Sequence, residues 1–347
     1  MREGTTNPLR SLAYATGYDV KTTGPYSKTR PKFQFHMHEP VKDCWFLTGP
    51  TASGKTAVGI DLARRLDAEI ISLDSMTIYR EMNIGTAKPS DEQRSAVPHH
   101  LIDIVNPDEY YSLAAYLDAS HECVREIRSR GKEVLFVGGT PLYLKALLRG
   151  LFEGPEPDWE FREQITEEVA KVGVDALHER LKQVDPLSAA KLPPGDVRRI
   201  IRALEVQRAT GKPISHMQLH FDEGQPSEDC KVFVLNWPKE LLLGRIENRV
   251  EQMFAEGLVD EAREIRDRYT DLSRTASQAV GYREVFALMD GEMDEAGAIE
   301  RVTIRTRRFA KRQRTWFRGL SECRMMERDA DDDEAAIVER IVSEGRA

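Results

Sequence analysis

The stretch WFLTGPTASGKTAVG, residues 45–59, decides the fold. An apolar run over 44–49 reads as a buried strand, and the pattern over 55–66 reads as an amphipathic helix. Between them stands Gly49-Pro50-Thr51-Ala52-Ser53-Gly54-Lys55-Thr56, which fits the phosphate-cradling pattern G-x-x-x-x-G-K-[ST]. Glycines let successive backbone N–H groups point inward, and the helix N-terminus adds positive potential. Lys55 reaches terminal phosphates and the Thr56 hydroxyl can hold Mg²⁺. With a strand before it and a helix after it, a chance glycine-rich turn explains the stretch poorly. The signal is for phosphate, not for a nucleotide in particular.

Working outward, AEIISLDS (68–75) and KEVLFVGGT (132–140) read as further strands, and 112–131 and 141–151 as helices, the latter opened by Pro141. Strands alternating with helices predict an α/β class: a P-loop NTPase-like parallel sheet core. Beyond Gly150 the pattern turns helical, broken at Pro155/Pro157, Pro186, Pro193-Pro194 and Gly211-Lys212-Pro213. A mostly helical insertion over 155–225 is expected, with the core formed by 41–154 and 226–322. KVFVLNW (231–237) resumes strand character, and long helices are expected over 239–269, 277–289 and 297–318.

The 347 residues carry a net charge of -8, which argues against a protein that is basic all over. A local basic patch exists nonetheless: RVTIRTRRFAKRQRTWFR (301–318) has eight Arg/Lys and no acid. The segment 323–347 is expected to be an acidic tail. Residues 1–40 lack hydrophobic periodicity and are expected to be a disordered extension. They have no apolar h-region and so do not read as a secretory signal; an organellar transit peptide, or a natural start at Met37, are the other readings. No apolar run is long enough to cross a bilayer. Cys44, Cys123, Cys230 and Cys323 are far apart with no C-x-x-C pair, which suits a reducing cytoplasm.

An ATP hydrolase needs an acid after a second strand to organise Mg²⁺ and water. The strand VLFV ends instead in Gly138-Gly139-Thr140. Asp74, after IISL, reads as a helix cap, a Mg²⁺ ligand or a base beside the phosphate, and motif logic leaves the three open.

The segments GPTASGKT, DSMTIYREMNIGTAKPS, HHLIDIVNPDEYYSLAAY, VGGTPLYLKALLRGL, RRIIRALEV, AVGYREV and TRRFAKRQRTWFRG occur in this order. Together they closely resemble the tRNA dimethylallyltransferases, over residues from about 44 to about 320. The resemblance implies that the loop holds the diphosphate of dimethylallyl diphosphate and that ATP is not consumed. It implies transfer of the five-carbon group to N6 of adenosine 37, beside the anticodon of tRNAs reading codons that begin with U, with Mg²⁺ as cofactor. It further implies a cytoplasmic, monomeric enzyme whose partner is the tRNA anticodon stem-loop, the insertion helping to clamp it.

Residue by residue, the resemblance makes Asp74 the base that takes the N6 proton, with Lys55, Thr56 and Arg283 as the other catalytic positions. It places tRNA contacts at Asp74, Ser75, Met76, Thr77, Thr140, Arg162, Arg198, Arg199, Ile200, Ile201 and Arg202. Further contacts fall at Gln278, Gly281, Tyr282, Arg283, Arg308, Lys311 and Arg312. Met76 and Thr77 depart mildly from the family, and Arg198 stands where Gln is frequent. Taken by itself, Arg283 also reads as a surface or salt-bridged arginine.

Along 301–318, the interleaved Phe309, Trp316 and Phe317 suggest one face docked on the core and an Arg/Lys face meeting phosphate; a solvated face is the bland reading. DADDDEA (329–335) reads as solvated acid, and His99-His100 as structural or RNA-edge contacts rather than a metal pair. His216 and His220 have a zinc-like spacing but no third ligand nearby. The rivals are an adenylate isopentenyltransferase acting on free AMP, ADP or ATP, a P-loop small-molecule kinase, and a nucleic-acid-binding module with a vestigial loop.

Overall fold

A computed structural model describes residues 36–346. The chain divides into two compact units: Glu39–Gly150 with Gly224–Ala347, and Leu151–Glu223 with the strand His36–His38.

The first unit is built on a six-stranded sheet in which every pairing is parallel. The order across it is His99–His100, Ala68–Ser72, Glu133–Val137, Trp45–Thr48, Val232–Asn236 and Cys323–Glu327. The three strands Trp45–Thr48, Ala68–Ser72 and Val232–Asn236 are buried along their whole length, as expected of a parallel sheet covered on both faces. On one face Val58 and Leu62 of the helix Lys55–Leu66 share a core with Leu47, Phe233 and Leu235.

The strand carrying the phosphate-loop motif is central, and its two parallel neighbours, Glu133–Val137 and Val232–Asn236, end beside it. Loops at the carboxyl ends of strands in such a sheet are where ligands bind. The Gly138-Gly139 turn allows the approach: a Cβ at Gly138 would lie 2.2 Å from the Leu73 carbonyl oxygen. Asp74 is therefore carried up against the turn that follows Val137.

The second unit packs the helices Trp159–Val172, Val174–Val184 and Val197–Thr210 around Phe161, Ile165, Leu181, Ile200 and Leu204. Phe161, Ile165 and Val169 recur every fourth residue, placing one apolar stripe inward. Asp158 and Asp196 cap their helices by accepting from the N–H groups of Phe161 and Arg199.

Several expectations are corrected. The segment 323–347 is not a tail: Cys323–Glu327 is an edge strand paired with Val232–Asn236, and Glu334–Arg346 is a helix. Its Ile337, Val338, Ile341 and Val342 are buried in the sheet's core. The Asp-rich stretch 329–335, which leads into that helix, is mostly solvent-facing. The expected extension over 1–40 falls outside the described residues up to 35, but His36–His38 pairs antiparallel with Leu151–Glu153. The helix expected over 239–269 is two, Lys239–Ala255 and Leu258–Arg268, parted at Gly257 with φ 100°. That expected over 277–289 is likewise parted at Gly281, φ 101°, giving Arg274–Ser277 and Tyr282–Met289. Among the described residues, no helix is long and apolar enough to cross a membrane.

Candidate active site

The loop 49–56 is held open by its surroundings. Lys55 Nζ donates to the carbonyls of Gly49 at 3.1 Å and Pro50 at 2.8 Å. Arg245 Nε donates to the Ala52 carbonyl at 2.8 Å, and Trp237 Nε1 to that of Ser53 at 2.9 Å. With these carbonyls taken, backbone N–H groups are what the loop has left to offer an anion. Ala52 and Gly54 lie in the left-handed region, at φ 63° and 86°, which turns the chain into the helix N-terminus. Gly49 is required by space: a Cβ there would lie 2.7 Å from the Leu235 carbonyl oxygen.

Three charged side chains gather here without any ion pair among the described residues. Burial pulls the Lys55 ammonium down to about 7; Arg249 reinforces that and Asp74 opposes it. Burial likewise lowers Arg249, whose Nη1 donates to Thr51 Oγ1 at 3.3 Å. Burial raises Asp74, against the pull of its hydrogen bonds from Met76 N and Thr77 N and of the Lys55 and Arg249 charges. Those N–H groups sit 2.8 and 3.4 Å from Asp74 Oδ1, so one oxygen closes a local turn; the helix-cap reading fails, because no helix begins there. Oδ2 takes no partner among the described residues.

Thr140 joins Asp74's segment to the next strand end. Its N–H donates to the Leu73 carbonyl, and its Oγ1 accepts from Ser75 N at 3.2 Å. Thr56 and Arg249 line a polar cavity of about 640 Å³ together with Lys88, Ser90 and Arg94. No three-member His/Cys/Asp/Glu cluster among the described residues could hold a metal. The donor is instead a hydroxyl, that of Thr56, which lines the cavity; Ser53 Oγ, in the same loop, is buried with no hydrogen-bond partner among the described residues. The Thr56 hydroxyl suits Mg²⁺, which takes few protein ligands and completes its shell with phosphate oxygens and water.

Other expected contacts fall elsewhere. Arg283 is exposed and bonded to Gln278, because the helix that starts at Gly281, whose N–H donates to Glu284, turns Tyr282 and Val285 inward. No bond from Arg283 to the loop is found among the described residues; Arg249, which the sequence did not single out, donates to Thr51 Oγ1. The Tyr282 ring is fully buried and its hydroxyl donates to Glu261 at 2.5 Å, so it offers no side-chain surface to RNA. Thr77 is buried against Ser72, and Met76 packs partly into the neighbouring core. Ile200 and Ile201 are core residues of the helical unit. Arg162 and Arg202 are both held by the buried Glu205, and Arg199 by Asp196, leaving Arg198 exposed.

On the helix Glu295–Arg318, Arg308, Lys311 and Arg312 are exposed, whereas Arg305 and Arg307 pair with Glu284 and Glu247. Phe317 docks inward as expected; Trp316, at 37% exposed, does not. His99 and His100 are structural, bonded to the Val97 carbonyl and to Glu69.

Sequence reasoning missed Trp237, Arg245, Arg249 and Gln313. They lie far along the chain from the loop, and only their strand-end or helical positions hinted at them.

Fold and site together define a phosphate-loop α/β protein with a carboxylate held beside the cradle. Residues 77–320 match the IPP transferase family, and 42–103 match the isopentenyl transferase family. The tRNA dimethylallyltransferase of Rhodopirellula baltica is 50% identical, aligned over 86% of this chain and 93% of that protein. That of Syntrophobacter fumaroxidans is 44% identical over 93% and 91%. The crystal structure of the tRNA isopentenylpyrophosphate transferase from Bacillus halodurans superposes with TM-score 0.61 at 37% identity, covering 88% of this chain and 97% of that one. A eukaryotic dimethylallyltransferase acting on tRNA gives TM-score 0.69 at 26% identity, over 83% and 74%. The chain belongs to the tRNA dimethylallyltransferase, or IPP transferase, family.

Proposed function

We propose that this protein transfers the dimethylallyl group of dimethylallyl diphosphate to N6 of adenosine 37 in tRNA. The observation that supports it best is Asp74, raised by burial and hydrogen-bonded through one oxygen only, held in the electrostatic field of Lys55 and Arg249 beside a phosphate cradle. A kinase could use a base there too; the family match decides for prenyl transfer.

The loop N–H groups, Lys55 and Arg249 bind the diphosphate. As the allylic C–O bond breaks, its electron pair leaves with the diphosphate, and these donors stabilise the charge that builds there. The N6 lone pair forms the new C–N bond, and Asp74 takes the N6 proton through its free oxygen. Mg²⁺, held by the Thr56 hydroxyl and phosphate oxygens, would neutralise part of the diphosphate charge. The exposed Arg308, Lys311 and Arg312 supply the sequence-independent hold on RNA phosphates. Flipping the target base out of a loop would present its N6 edge. The free thiols suit action in the cytoplasm. Action as a monomer is the proposed state, which sedimentation measures.

The test incubates the protein with Mg²⁺, labelled dimethylallyl diphosphate, and either an anticodon stem-loop or AMP. Label entering only the RNA is expected. Label on AMP, or ATP consumption without transfer, would overturn the reading.

A further inference from the structure

Gln313 stands in the basic helix among arginines, yet its side chain is turned inward and is 3% exposed. Its Oε1 accepts from Thr51 N–H at 2.9 Å, and its Nε2 donates to the Gly139 carbonyl at 2.6 Å. The two backbone partners fix the amide's orientation, since one can only donate and the other only accept. One side chain thus ties the crest of the phosphate loop to the turn after Val137. That turn in turn holds the segment of Asp74, through Thr140 and Leu73.

Gly139 supplies the complementary half of the joint. A Cβ there would lie 2.7 Å from Gln313 Nε2 and 3.3 Å from the Gly49 carbonyl oxygen. Its glycine is demanded by this close approach rather than by a left-handed backbone, because φ at 139 lies outside that region. Side chain and glycine are matched to each other, which a merely space-filling glutamine would not require. A basic helix that only met RNA phosphates would also have no reason to bury an amide here.

We propose that Gln313 is a positioning residue for the leaving-group site. It pins Thr51, and with it the loop crest, against the Gly138-Gly139 turn, and so sets the spacing between the diphosphate donors and Asp74. It touches no substrate itself. The inference rests on the prenyl-transfer reading above and deepens it.

Removing the amide takes the partner from the half-buried Thr51 N–H and from the buried Gly139 carbonyl, which frees the crest to move. Gln313→Leu is expected to weaken binding of inorganic diphosphate about tenfold, and to raise KM for dimethylallyl diphosphate while lowering kcat. KM for the stem-loop is expected to stay near wild type. Gln313→Glu keeps an acceptor for Thr51 but loses the donor to Gly139, and is expected to weaken diphosphate binding too; it serves if the leucine variant does not fold. Gly139→Ala displaces Gln313 and should show the same defect, and adding it to Gln313→Ala should cost little more, because both break one joint.

Diphosphate binding is read by calorimetry, without turnover, so the inference survives or fails independently of prenyl transfer. If wild type binds diphosphate but transfers nothing, the prenyl-transfer reading falls and the joint is still measured. Unchanged diphosphate affinity in the folded variants overturns the inference. So does a defect confined to the stem-loop KM, which would make Gln313 an RNA contact, or a lowered Tm with full activity in the folded fraction.

Discussion

Two places in this molecule bury charge, and they treat it in opposite ways. In the helical unit, Glu205 is 2% exposed and accepts from Arg162 at two atoms, from Arg202 and from the Asp158 N–H. Burial pushes its carboxyl upward, but the hydrogen bonds of the two arginines outweigh it and hold it below the usual range. At the phosphate loop, Lys55, Arg249 and Asp74 are driven toward their neutral forms by burial, and none has an ion-pair partner among the described residues. Paired buried charge is structure. Buried charge left unpaired costs folding free energy and is retained where a ligand completes it.

The largest expected effect separates these cases at the loop. Asp74→Asn keeps the oxygen that accepts from Met76 and Thr77 but removes the base. Single-turnover transfer to RNA should fall about 10²- to 10⁴-fold with Tm unchanged. A comparable fall in Tm would mean that Asp74 chiefly holds the turn. Lys55→Met should abolish measurable diphosphate binding yet leave Tm level or higher, because it removes a buried cation that has no counter-ion. A clear destabilisation would break the comparison.

Glu205→Gln should do the reverse. It strands two arginines, and about 3–5 kcal/mol of stability should be lost on chemical denaturation, while the rate of the chemical step in the folded enzyme is retained. The sign with pH follows from the depressed carboxyl. Glu205's contribution is present above the ordinary carboxylate pKa and is lost as pH falls through the lowered one, so wild type and Glu205→Gln should converge in acid.

The pH profile sharpens the loop side further. Asp74 must be ionised to accept the N6 proton, and its pKa is raised, so kcat/KM should climb at a pH above that of an ordinary aspartate. Lys55 must be protonated to hold the diphosphate, and in the free enzyme it titrates at about 7. The same profile should therefore bend down above that pH, while kcat, measured with diphosphate bound, bends later. Lys55→Arg should remove the alkaline limb; its persistence would assign that limb to another group.

The sequence made the loop legible because glycine spacing, a Lys and a hydroxyl are local facts. It did not show who holds the loop carbonyls, since Arg245 and Trp237 come from elements nearly two hundred residues downstream in the chain. Arg283 shows a related limit: the helix start at Gly281 turns Tyr282 inward and leaves Arg283 at the surface, and a motif match does not contain that rotation. The closing strand and helix were hidden in plain view. Ile337, Val338, Ile341 and Val342 form an apolar stripe at helical spacing, but the run of aspartates before them made the whole segment read as solvent-exposed. The arginines of 198–202 show the limit of counting charge: Asp196 and Glu205 each stand three residues from the arginine they hold, a helical pairing that a count of basic residues overlooks.

The same distinction between paired and unpaired charge operates within one helix, and there the expected effects are smallest. Arg308, Lys311 and Arg312 face solvent, while Arg305 and Arg307, spaced among them, are committed to Glu284 and Glu247. Only the first group has charge to give to RNA phosphates. Each of Arg308→Ala, Lys311→Ala and Arg312→Ala should weaken stem-loop binding by less than about tenfold. Each should also flatten the dependence of log K on log salt, by about 0.7–0.9 for every phosphate the protein no longer neutralises. Arg305→Ala and Arg307→Ala should leave that slope as it is and act on Tm. The half-exposed Arg307–Glu247 pair contributes about 0–1 kcal/mol, whereas Arg305→Ala takes the arginine from the buried Glu284 and should lower Tm more. Titrating stem-loop binding across a salt series for the five variants decides it. Equal slopes throughout would mean that the helix meets RNA by its whole charge rather than by the residues the fold leaves unpaired.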